Sequence, residues 1–157
     1  MTEVARAGSG ELSRALRLLE EGPRGGRPLP GGIEARLRRE VAAGGLEVLV
    51  ARSGEDVVGA LILAYRTSVV SGAVFASIEE LYVGPRHRRR GIGSALLNAA
   101  GERCRERGVS YLEVQADGGA AQGFYAARGF AGEPGVRVMS RSLPFARGGR
   151  EAPAPRR

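Results

Sequence analysis

The stretch Leu81-Tyr82-Val83-Gly84-Pro85-Arg86-His87-Arg88-Arg89-Arg90-Gly91-Ile92-Gly93-Ser94 constrains this chain more than any other. An apolar segment with strand character runs into a basic, glycine-spaced loop, and a helix-forming segment follows at once. That order sets the start of a helix, with its unbonded backbone N–H groups and partial positive charge, at the end of a strand. Such a junction suits an anion. Gly91 and Gly93 have no Cβ atoms, so the backbone can approach a phosphate closely. Arg88, Arg89 and Arg90 add charge-assisted donors. Two familiar phosphate loops are excluded. The P-loop needs a lysine, and the chain has none; the dinucleotide fingerprint needs glycine where Leu96 stands.

The residues around this junction alternate between strand and helix patterns. Glu3 to Ala7 reads as a short strand. Gly10 to Glu21 reads as a helix with Ser9 as its N-cap and Leu12, Leu16 and Leu19 on one face. Gly22 to Gly32 is a Pro/Gly/Arg loop. Ile33 to Ala43 predicts a second helix stopped by Gly44-Gly45. Leu46 to Arg52 and Val57 to Tyr65 predict a hairpin about Ser53-Gly54-Glu55-Asp56. Thr67 to Gly72 is a polar connection, and Ala73 to Val83 a third long strand. Helix Gly91 to Arg107, strand Val109 to Ala116, helix Gly119 to Arg128 and strand Val136 to Leu143 complete the series. Short turns between consecutive strands imply antiparallel pairing, and the strand–helix–strand unit from Ala73 to Ala116 implies a parallel crossover. The expectation is an α/β (α+β) domain over residues 1–143: a mixed, mostly antiparallel central sheet with helices on both faces. Residues 144–157, rich in Pro, Gly and Arg, are expected to be a disordered tail.

Composition narrows the setting. The chain has 157 residues, the size of one domain, and 43% of them are hydrophobic, enough for a packed core. The single Cys104 allows no internal disulfide, so a cytoplasmic setting is expected. No apolar run approaches the roughly 18 residues of a membrane span. The net charge is +7, with all 24 basic residues arginine. Codon bias in a GC-rich genome is one reading of arginine in place of lysine; attraction to a polyanion, such as a phosphate-rich cofactor, is the other. The arginines are scattered and no nucleic-acid motif accompanies them, so no nucleic-acid partner is expected. No His/Cys/Asp cluster has metal-ligand spacing, so no metal is expected.

A second motif lies downstream: Ala121-Gln122-Gly123-Phe124-Tyr125-Ala126-Ala127-Arg128-Gly129-Phe130. Together with Arg88-x-x-Gly91-x-Gly93 after Leu81-Tyr82-Val83, it resembles the signature of the GNAT superfamily of N-acetyltransferases. The resemblance covers roughly Leu46 to Leu143. It implies a GNAT-like fold and acetyl-CoA as co-substrate. The loop amides of Gly91, Ile92, Gly93 and Ser94, with Arg88, Arg89 and Arg90, would hold the CoA pyrophosphate. The strand backbone of Leu81, Tyr82 and Val83 would bond the pantetheine. It also implies that Tyr125 protonates the departing thiolate, and that the assembly is a homodimer. One departure is Gly118, where many relatives carry Asn.

The chemistry itself asks for a base or ammonium anchor, because an alkylammonium of pKa about 10.4 is protonated at neutral pH. Glu79 and Glu80 interrupt an otherwise apolar strand and are the candidates. Alternation sends one to each face. Strands of this family often bulge here, so parity does not choose between them. Similarity to aminoglycoside 3-N-acetyltransferases points to Glu80, similarity to polyamine acetyltransferases to Glu79. The run Leu112 to Gly119 also resembles the aminoglycoside enzymes, which would set Glu79, Glu80, Glu113 and Asp117 against a cationic small-molecule amine. The positive net charge argues the other way at long range. His87 reads as solvated or phosphate-adjacent, and Cys104 as core.

Overall fold

The computed structural model describes residues 1–141 and residue 143. The expected tail, residues 144–157, lies outside the described residues. The chain divides into two compact units, residues 1–114 and a second that begins at Gln115.

The first unit holds a five-stranded sheet in the order β1-β2-β3-β4-β5. Its strands are β1 (Thr2–Arg6), β2 (Leu46–Ser53), β3 (Asp56–Ser68), β4 (Ala73–Val83) and β5 (Leu112–Val114). The first four pair antiparallel, and β4 pairs parallel with β5. The parallel step needs a crossover, which α3 (Ile92–Glu106) supplies.

Side-chain alternation divides the core between two faces. On one face, Val48, Val50 and Ala60 pack with Leu12 and Ala15 of α1 (Ser9–Glu21), and Leu37 and Val41 of α2 (Ile33–Ala42) join them. On the other face, Leu49, Ala51, Leu61 and Leu63 are fully buried, and α3 packs there with Ile92, Leu96 and Ala100 inward. The mixed sheet with helices on both faces is therefore as the sequence led us to expect. Helix α1 begins one residue earlier than its pattern suggested. Gly8, not Ser9, is the N-cap, and its N–H donates to the Glu11 carboxylate at 2.7 Å.

The back of the second face carries a polar lock. Arg103 of α3 donates two hydrogen bonds, at 2.7 and 2.8 Å, to the buried Glu47 carboxylate of β2. Arg107 sits 3.5 Å from the same carboxylate, with its guanidinium over the Tyr65 ring. Arg103 holds the Glu47 carboxyl below the usual carboxylate range. Burial and Glu47 push the Tyr65 phenol up to about 12. Cys104 lies beside this group, buried, with its thiol pushed up by burial. A thiol so placed is an inert core residue.

The second unit contains α4 (Gly119–Ala126). The strand expected over Val136 to Leu143 does not form: the described residues from 136 to 141 carry no strand, and Glu133–Val136 make a turn closed by a 3.2 Å hydrogen bond. An extended segment forms a strand only when it gains a partner, which the local sequence does not specify. Strand β5 is likewise shorter than the expected Val109 to Ala116. No described helix is long and apolar enough to cross a membrane.

Candidate active site

The carboxylates are placed by an irregularity in β4. Leu81 pairs with Leu61 and Glu80 with Ile62, but the next pair is Ile78 with Leu63. Glu79 is the extra residue of a β-bulge. The bulge changes what alternation predicts. Glu80 lies opposite Ile62, which packs with the α1 cluster, so it belongs to the α1 face. Glu79 bonds to Arg66 on that same face, where Nη2 of Arg66 donates to Oε1 at 2.8 Å and to Ser77 Oγ at 3.2 Å. Both carboxylates therefore emerge together. The expectation of one on each face is corrected by one inserted residue.

The bulge is also where β4 parts from β5. Strand β5 pairs only with Ala76, Ser77 and Ile78, opposite Leu112, Glu113 and Val114. From Glu79 to Val83, β4 keeps β3 on one side and has no strand of the first unit on the other. Leu81, Tyr82 and Val83, the residues expected to bond pantetheine, sit in this freed stretch. Glu113 lies opposite Ser77 and so shares the carboxylate face.

Beyond Val83 the chain makes a tight turn at Pro85–His87 and enters α3 through Gly91, its N-cap. His87 is part of that turn. Gly91, the N-cap, has no side chain with which to cap the helix start. Arg88 folds back: its Nε donates to the Val83 carbonyl at 2.9 Å, and its guanidinium lies 5.4 Å from the Tyr82 ring centre. Arg89 and Arg90 are exposed. Arg89 is the one non-glycine of positive φ among the described residues, at 62°. A left-handed arginine costs on the order of 1 kcal/mol. The loop thus joins a helix start, three arginines and a stretch of β4 that β5 does not reach, which fits a phosphate-bearing, extended ligand such as acetyl-CoA.

In the second unit, Tyr125 is buried on α4. Its ring meets Phe124 and Phe130 edge-on, with centroids 5.1 and 5.3 Å away. The three aromatics of the second motif are thus a packed cluster, and Gly129 turns the chain so that Phe130 N–H can bond the Tyr125 carbonyl at 3.1 Å. Asp117 is exposed just before α4. The departure at Gly118 has a backbone reason: φ 83° and ψ 161° fall in a region essentially reserved for glycine. Sequence reasoning missed Arg66, because nothing local marks a residue whose partner lies across a hairpin.

The chain matches the GNAT acetyltransferase family over residues 14–130. It therefore belongs to that family of acetyltransferases. A mycothiol acetyltransferase from Parafrankia sp. is 40% identical over 67 residues, which is 43% of this chain and 19% of that protein. The chain therefore spans about a fifth of that relative. Among solved structures, an aminoglycoside acetyltransferase from an uncultured soil metagenomic sample, in complex with trehalose, has TM-score 0.79 and 24% identity, covering 91% of this chain and 97% of that one. The same enzyme is also solved in complex with sisomicin. A transcriptional regulator from Bacillus halodurans has TM-score 0.77 and 26% identity, covering 91% and 100%. A Clostridium acetobutylicum acetyltransferase, solved with acetyl-CoA, has TM-score 0.73 at 15% identity, covering 89% and 96%.

Proposed function

We propose that this chain transfers acetyl from acetyl-CoA directly to a primary amine of a small molecule. The observation that carries the reading is the course of β4: it bulges at two carboxylates, leaves β5 there, and runs straight into an arginine-rich helix start. Acetyl-CoA would supply an activated acyl carbon and a thiolate leaving group.

The chain's own residues divide the remaining work. The amides of Gly91 to Ser94 and the guanidinium groups of Arg88, Arg89 and Arg90 bind phosphate oxygens. The freed backbone of Leu81 to Val83 aligns the pantetheine. Glu80, with Glu79 beside it, attracts the acceptor ammonium and takes its proton, so that the nitrogen lone pair is available. Tyr125, assigned by its motif position, donates its phenolic proton to the sulfur as the C–S bond breaks. No acyl-enzyme is required, which agrees with an inert Cys104.

Aminoglycosides are one acceptor class to consider, supported by the run from Leu112 to Gly119 and by the soil enzyme solved with sisomicin. Polyamines and amino-acid-like amines are others. CoA release, read with a thiol reagent across all three classes, tests the reading. Saturable release with any amine, matched by a mono-acetylated product, supports it. Binding of acetyl-CoA without release to any amine would instead make the chain an acyl-CoA-binding module.

A further inference from the structure

We propose that Arg66 selects acceptors that carry a carboxylate close to the reacting amine. The inference rests on the acetyl-transfer reading above and narrows it to amino-acid-like substrates.

Arg66 stands on β3 opposite Phe75, on the face that bears Glu79 and Glu80. Its Nη2 is committed to Glu79 and Ser77, and its guanidinium carbon lies 5.9 Å from the Phe75 ring centre. The remaining donors, on Nε and Nη1, bond nothing among the described residues, and half of the side chain is exposed. A guanidinium fixed at one nitrogen and open at the others is a pre-organised anion receptor. Its position matters as much as its chemistry. It sits one ion-pair length from a carboxylate expected to receive the acceptor ammonium. An acceptor with a carboxylate a few bonds from its amine matches that alternation of charge. A polycation does not. Arg66 offsets the Glu79 charge, and it turns a further cation toward any second ammonium group. The net charge of +7 works in the same direction.

Matched pairs of amines test this: phenylalanine against phenethylamine, and γ-aminobutyrate against butylamine, with spermidine and sisomicin as polycations. The readout is kcat/KM for each. The carboxylated member should lead by about tenfold or more, the size of a charge-assisted hydrogen bond. Arg66→Gln should bring the ratio close to one, and Arg66→Lys should restore part of it. Thermal melts establish that each variant is folded; if Arg66→Gln is not, Arg66→Lys carries the test, with an intermediate ratio expected. Preference for the decarboxylated amines or polycations, or a ratio indifferent to Arg66, overturns the inference while leaving acetyl transfer intact. Absence of turnover with every amine removes the acetyl-transfer reading itself, and this inference with it.

Discussion

Gly22, at the end of α1, lies so close to the Tyr82 ring that a Cβ there would stand 2.1 Å from Cζ. The helix end and the freed stretch of β4 are thus in direct contact. Gly22→Ala should push the ring aside and lower stability by about 1–3 kcal/mol, the usual cost of overpacking. The same shift should raise the KM for acetyl-CoA, since Tyr82 flanks the strand edge and the Arg88 guanidinium. A melt together with acetyl-CoA titration checks both. An unchanged KM would detach Tyr82 from cofactor binding.

Tyr125→Phe keeps the aromatic packing with Phe124 and Phe130 and removes only the hydroxyl. It should lower kcat by about a hundredfold, within the range for a general acid. Wild-type turnover would sink the acid assignment.

The bulge presents both glutamates on one face, but Glu79 is tied to Arg66. On the resemblance that sets Glu80 as the base, Glu80→Gln should cost more in kcat/KM than Glu79→Gln, by about tenfold, given that general-base effects span about two to four decades. The reverse order would make Glu79 the base. Steady-state kinetics at matched pH decide it.

The buried Glu47 carboxylate pairs with the half-buried Arg103, whose other ion-pair partner is Glu106. Glu47→Gln should cost about 1–3 kcal/mol at pH 7, the range for losing hydrogen bonds to a charged group. Because Arg103 lowers the Glu47 pKa in the folded state, this stabilisation is present above the ordinary value of 4.5 and is lost as pH falls through the lowered one. Denaturant melts should show the gap between wild type and variant closing below pH 4.5. Tyr65 acts oppositely. Its phenol is raised from 10.0 to about 12, so stability should drop as pH climbs through that interval, and Tyr65→Phe should abolish that drop.

Arg89→Gly should relieve a left-handed backbone and raise stability by about 1 kcal/mol. If the arginine is there for its charge, the variant should bind acetyl-CoA more weakly, and binding should depend less on salt. Higher Tm with unchanged affinity would show that the charge is idle.

The elements of the first unit were legible because their periodicities are strong and their turns are marked by glycine. Helices α1, α2 and α3 fall within a residue or two of their patterns, and β4 has the expected bounds. The turn that leads from β4 into α3 was legible for the same reason: its residues are contiguous. The bulge was not, since one extra residue leaves the strand pattern of β4 intact and appears only in its pairing with β3. The short β5 and the missing strand after Val136 fail in another way. Propensity speaks for extended backbone there, whereas strand formation depends on a partner that the local sequence does not name. Arg66 and the Glu47–Arg103 pair are long-range contacts and have no local signature at all.

The short ladder between β4 and β5 has one further consequence. A row of backbone groups left beside β4 is a template for any extended chain, and a pantetheine arm laid along it would serve as a guest strand. A ligand bound there would extend the sheet, and saturation with acetyl-CoA should protect the amides of Leu81 and Val83 from hydrogen exchange.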